Sequence, residues 1–118
     1  MPSMVMYSLP DRPRRSIERT PECQLRINEI IFVKGPPKQI EIEIENEGDI
    51  VCSLMNSVQM KTQTSVEWTP ITVTWNPVLV APNGSSKTNV VSEWTSGETY
   101  ILKVQSEKGD IWATQKAP

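Results

Sequence analysis

The sequence predicts an all-β chain of about seven to eight antiparallel strands, arranged as a sandwich or barrel. Three observations predict it. Ile40, Ile42 and Ile44 alternate with Glu41, Glu43 and Glu45, and a period of two places one set on a core and the other in water. From Leu25 onward, apolar runs recur at roughly ten-residue intervals between turn residues. No stretch carries a convincing helical period.

Each element follows from its own pattern. Leu25–Val33 reads as the first strand. Its alternation breaks between Ile27 and Ile30, which predicts a bulge or a change of face, and Gly35-Pro36-Pro37 ends it. Gln39–Glu45 is the second strand, closed by Asn46-Glu47-Gly48-Asp49, residues that tolerate positive φ. Ile50–Met60 is the third, with Ile50, Cys52 and Leu54 sharing a face and a less regular far end. Val66–Trp75 carries Ile71, Val73 and Trp75 on one face; Pro70 makes it an edge strand or two short pieces. Val78–Ala81 is a short continuation, and Pro82-Asn83-Gly84-Ser85-Ser86 is a turn. Lys87–Trp94, Thr99–Gln105 and Asp110–Gln115 complete the set. The connection Glu107-Lys108-Gly109-Asp110 predicts that the last two strands pair as a hairpin, with Gly109 at positive φ.

Composition bounds the function. The 118 residues suit one domain with one modest core, 37% hydrophobic and 22% charged. A net charge of −2 argues against nucleic acid or an anionic membrane as a general partner. No run reaches the ~18 apolar residues of a membrane helix, and Met1–Leu9 is a poor secretory signal. The chain has no histidine, which removes the commonest general base and metal ligand. Cys23 and Cys52 cannot build a zinc site without histidine partners. Cys52 reads as a small core residue, or as one half of a Cys23–Cys52 disulfide in an oxidising compartment.

Residues 1–22 differ from the sandwich expected over 23–118. They hold Pro2, Pro10, Pro13 and Pro21 with Arg12, Arg14, Arg15 and Arg19, which reads as an extended arm. Within it, Val5, Tyr7 and Leu9 alternate with Met4, Met6 and Ser8. The arm is either a tail or an added strand for a neighbouring subunit. The arginines suit a solvated arm better than a phosphate site, because Asp11, Glu18 and Glu22 dilute them.

Four tryptophans are many for this length. They serve core packing, an interface or stacking on a ligand. Trp75 shares parity with Ile71 and Val73 and is expected in the core. Trp68 and Trp94 lie near strand ends and are the interface candidates. The carboxylates of Glu41, Glu43 and Glu45 stand roughly 7 Å apart along a strand, which suits a solvated face and not a calcium site. Asn83-Gly84-Ser85 fits the N-glycosylation pattern in a surface turn. No nucleophile–base pairing, phosphate loop or CxxC motif is present. The expectation is a non-enzymatic protein without a cofactor.

Two segments resemble a known family. Ile40-Glu41-Ile42-Glu43-Ile44-Glu45-Asn46-Glu47-Gly48 is similar to the strand and "N-x-G" element of archaeal pilin-like and archaellum accessory proteins of the FlaF/FlaG type. Ser96-Gly97-Glu98-Thr99-Tyr100-Ile101-Leu102-Lys103-Val104, followed by Ser106-Glu107-Lys108-Gly109-Asp110, resembles their closing hairpin. The resemblance spans roughly residues 25–115. It implies an immunoglobulin-like β-sandwich, an extracellular or cell-surface location, and an assembly or anchoring role against filament or surface-layer subunits or copies of itself. Those proteins carry a hydrophobic N-terminal helix where this chain has its Arg/Pro arm. The expected function is a structural subunit that assembles through strand edges or the arm. The alternatives are a viral structural protein with a basic arm and a carbohydrate-binding module using Trp68 or Trp94.

Overall fold

The computed structural model describes residues 20–118. The expected strand Val5–Leu9 and the basic cluster Arg12, Arg14, Arg15 and Arg19 lie outside the described residues. Within them the chain forms eight strands: β1 (Leu25–Val33), β2 (Gln39–Asn46), β3 (Cys52–Thr62), β4 (Thr69–Thr72), β5 (Leu79–Val80), β6 (Ser85–Val91), β7 (Thr99–Ser106) and β8 (Gly109–Lys116). They build two antiparallel sheets packed as an immunoglobulin-like sandwich. One sheet has the order β1-β2-β6; the other runs β4-β3-β7-β8, with β5 also paired to β3.

The alternating isoleucines do what their period dictates. Ile40, Ile42 and Ile44 are fully buried, each contributing about 2 kcal/mol by the area removed from water. Val58, Leu102 and Val104 from the second sheet complete the core with Val80 and Val90. Asn46 continues the inward parity of β2 and is also fully buried, so it must find partners for all of its polar atoms.

The break in β1 is a register shift between Ile27 and Glu29. A second shift lies between Leu54 and Val58 on β3, which accounts for the irregular far end of that strand. Pro70 sits on the edge strand β4, opposite Gln59, where its missing N–H faces no further strand. The β7–β8 hairpin forms directly, with Gly109 at φ 130°.

Three expectations need correction. Ile50 does not share the buried face of Cys52 and Leu54; it is 46% exposed and precedes the strand, because residues 47–51 turn back toward the first sheet. The Asn46–Asp49 turn uses no positive φ. Gly48 is required there by close approach: a Cβ would lie 2.2 Å from the Glu22 carbonyl oxygen. The sixth strand starts at Ser85 and ends at Val91, so Trp94 follows the strand and does not close it.

Candidate functional site

The described chain begins at a clamp at one end of the sandwich. Cys23 and Cys52 form a disulfide with a Cα–Cα separation of 5.4 Å, tying the start of the described chain to β3. The backbone on either side is held by the Asn46–Asp49 turn: Asp49 N–H donates to Glu22 O at 2.8 Å and Glu47 N–H to Gln24 O at 2.7 Å. Asn46 is the hub. Its Oδ1 accepts from Gln24 N at 3.3 Å and Gly48 N at 2.8 Å, and its Nδ2 donates to Ile50 O at 2.8 Å and Val80 O at 2.9 Å. Every polar position of the amide is used, which is how a buried asparagine avoids its desolvation cost. The disulfide closes a separation of 29 residues, worth about 3.5 kcal/mol by loop closure. The pairing of Asn46 with Gly48 was visible as a turn signal; its role as a buried hub was not, because asparagine in a turn is normally solvated.

Beside this clamp runs an open seam. Among the described residues, β1 and β8 each pair on one side only. A cleft of about 270 Å³ lies between them, lined by Cys23, Leu25, Ser106, Lys108 and Ile111 among others. Leu25, Ile27, Ile30 and Ile111 are only partly covered. Both strand edges therefore present backbone groups and apolar side chains together.

The tryptophans separate into two kinds. Trp75 is 3% exposed, and its Nε1 donates to Met55 O at 3.0 Å. Trp94, expected at an interface, is instead a core residue at 2% exposure. Its Nε1 donates to Gln39 O at 3.0 Å and Val33 O at 3.2 Å. Phe32 meets its ring edge-on at 5.2 Å, and Lys38 covers it at 4.7 Å while donating to Trp94 O. A residue just past a strand end can fold over the open end of a sandwich, and this one does.

Trp68 and Trp112 are different. Their rings meet edge-on at 5.4 Å on the outer face of the second sheet. Lys103 Nζ lies 4.7 Å from the Trp68 ring and 5.1 Å from that of Trp112; Lys61 Nζ lies 5.2 Å from Trp68. Trp68 is half-buried and Trp112 is 57% exposed. Sequence reasoning singled out Trp68 but not Trp112. The usable signal was parity: Trp112 lies opposite Lys103, which points away from the core between Leu102 and Val104.

The two outer faces carry opposite charge. On the first sheet, Glu29, Glu41, Glu43 and Glu45 face outward with Arg26 and Lys87. Arg26 bridges Glu45 and Glu47 at 2.8 Å each. The hydrogen bond to Glu47, then the charge of Glu47 and the hydrogen bond to Glu45, raise its pKa above that of an ordinary arginine. Glu43 accepts from Asn28 Nδ2 at 3.0 Å. The strands of the second sheet present Lys61, Lys103 and Lys116 outward against the single carboxylate of Asp110.

Other expected sites lie apart. Asn83 is exposed in the β5–β6 turn at φ 63°. Among the described residues, no group of three or more His, Cys, Asp and Glu could hold a metal ion. Among them, no helix is long and apolar enough to cross a membrane.

No protein-family profile and no curated relative matches the sequence. Solved structures do match the fold. The chain is similar to the archaellum periplasmic stator protein FlaG from Sulfolobus acidocaldarius, with 13% identity and a TM-score of 0.68 over 80% of this chain and all of that one. It is also similar to a chain of the archaellum periplasmic stator complex of FlaF and FlaG from the same organism. That likeness has 14% identity and a TM-score of 0.67, covering 95% of this chain and all of that chain. The resemblance noted in the sequence to the FlaF/FlaG type is therefore met by the fold.

Proposed function

We propose that this chain is a non-enzymatic structural subunit of a cell-surface assembly of the archaellum stator kind, working through protein–protein contacts. The observation that carries the reading is the fold likeness to FlaG over the whole of the solved chain. A disulfide at the base of the arm fits an oxidising location outside the cytoplasm. The chemistry of the sequence agrees, since a chain without histidine lacks the commonest proton-transfer side chain.

In this reading the arm makes one contact. Val5, Tyr7 and Leu9 add as a strand to a free edge of a neighbour, and the seam between β1 and β8 offers both edge hydrogen-bonding groups and partly covered apolar side chains. The test is light scattering over a concentration series for the full-length chain, the Tyr7→Pro variant and a chain starting at Glu22. Association that weakens at least tenfold in both altered chains, with the sandwich still folded, supports the arm as an added strand. Association unchanged by Tyr7→Pro removes that role. A full-length chain that stays monomeric throughout counts against self-assembly altogether.

A sugar-binding reading retains one feature, the exposed ring of Trp112 beside Trp68. It loses Trp94, which is buried.

A further inference from the structure

The two outer faces of the sandwich differ in chemistry in a way that makes each a partner for the other. Four cross-strand rows build the first face. Val33, Gln39 and Val91 form one row; Ile31, Glu41 and Asn89 the next; Glu29, Glu43 and Lys87 the third; Arg26, Glu45 and Ser85 the last. Ile31 and Val91 are 42% and 60% exposed; Ile31 stands directly beside Glu41 and Val91 in the neighbouring row, opposite Gln39. The second face has the converse arrangement. Pro70, Gln59, Lys103 and Trp112 form one row across four strands, and Lys61, Ile101 and Thr114 form the row beside it. Here an exposed ring stands beside ammonium groups that have aromatic neighbours but no carboxylate partner among the described residues.

We infer that the lysine–tryptophan face of one copy docks on the glutamate face of a second copy, giving a head-to-tail contact. This rests on the assembly reading but not on the arm. Trp112 covers Ile31 of the next copy, while Lys103 and Lys61 meet Glu41 and Glu43. Two different patches meet, so the contact is heterologous: it leaves one free face of each kind on every dimer and continues into a chain of copies. Opposite charge sets the orientation and opposes the two like-with-like pairings. The glutamate face spans eight residues on three strands, about 25 Å by 15 Å. That area is at the small end for a protein contact, so each junction is individually weak and concentration-dependent.

Charge inversion tests this in the full chain, read by sedimentation velocity at low salt. E41K/E43K presents two positive faces, and K103E/K116E presents two negative ones; Lys61 is left in place because it donates to Ser65 O. Each variant alone is expected to associate at least tenfold more weakly than the unaltered chain. An equimolar mixture of the two regains association, because every junction again joins opposite signs. Circular dichroism of each variant confirms its strands. The unaltered chain supplies a second measurement that needs no substitution: its association weakens as added salt screens the faces. Variants that associate as the unaltered chain does, a mixture that stays monomeric, or association indifferent to salt would each overturn the face-to-face contact while leaving assembly by another surface intact. An unaltered chain that is monomeric at every concentration overturns the assembly reading itself.

Discussion

Two aromatic clusters in this sandwich share a plan, an indole met edge-on by a second ring with a lysine over it, and differ in their surroundings. At one end, Trp94 meets Phe32 edge-on at 5.2 Å and carries Lys38 over its ring. On the outer face of the second sheet, Trp112 meets Trp68 edge-on at 5.4 Å and carries Lys103 over its ring. The ring geometry and the cation are alike. What separates the two is where the polar atoms go. The Trp94 indole N–H and carbonyl are both bonded within the fold, and the ring is excluded from water. Trp112 remains 57% exposed. Similar pair geometry therefore closes a core in one place and leaves an exposed ring in the other.

The comparison breaks most visibly at Trp94. Trp94→Ala empties the end of the core and is expected to cost about 4 kcal/mol of folding stability, read as a lower urea midpoint. A loss below about 1 kcal/mol would mean that Trp94 is not structural. Lys38→Met is the intermediate case. It removes the cation above the ring and leaves the Trp94 carbonyl without its donor, a loss of about 1–2 kcal/mol. The smallest effect on stability belongs to Trp112→Ala. It gives up an edge-on ring pair and one cation contact at a wet surface, about 1 kcal/mol together. A destabilisation by Trp112→Ala as large as that by Trp94→Ala would erase the distinction between the clusters.

How far these differences were legible in the sequence depends on the residue. The isoleucine–glutamate alternation of β2 placed three core residues and the acidic face correctly, because a strand with one wet side has only one way to satisfy its period. The bulge near Ile27 showed as a broken alternation, and the closing hairpin showed in its turn residues. Trp94 was misplaced because it lies past the end of β6, where parity no longer reports burial; only the three-dimensional end of the sandwich covers it. Trp112 was passed over although its parity was readable, because parity says which face a ring takes and not what stands beside it. The pairing of Trp112 with Trp68 joins residues 44 positions apart, and no local pattern encodes that meeting. The opposite charge of the two faces was half visible, in the glutamates of β2. The lysines of the other face are single residues on separate strands and become a patch only through the register of β3, β7 and β8.

The face-to-face contact proposed between copies of this chain runs through the exposed cluster and not the buried one. It is tested most directly by sedimentation velocity of the full-length chain beside Trp112→Ala at matched concentrations and low salt. The expected result is an unaltered chain whose average mass climbs with concentration, and a folded Trp112→Ala chain that reaches the same mass only at a concentration at least tenfold higher. Two superimposable mass profiles would contradict it.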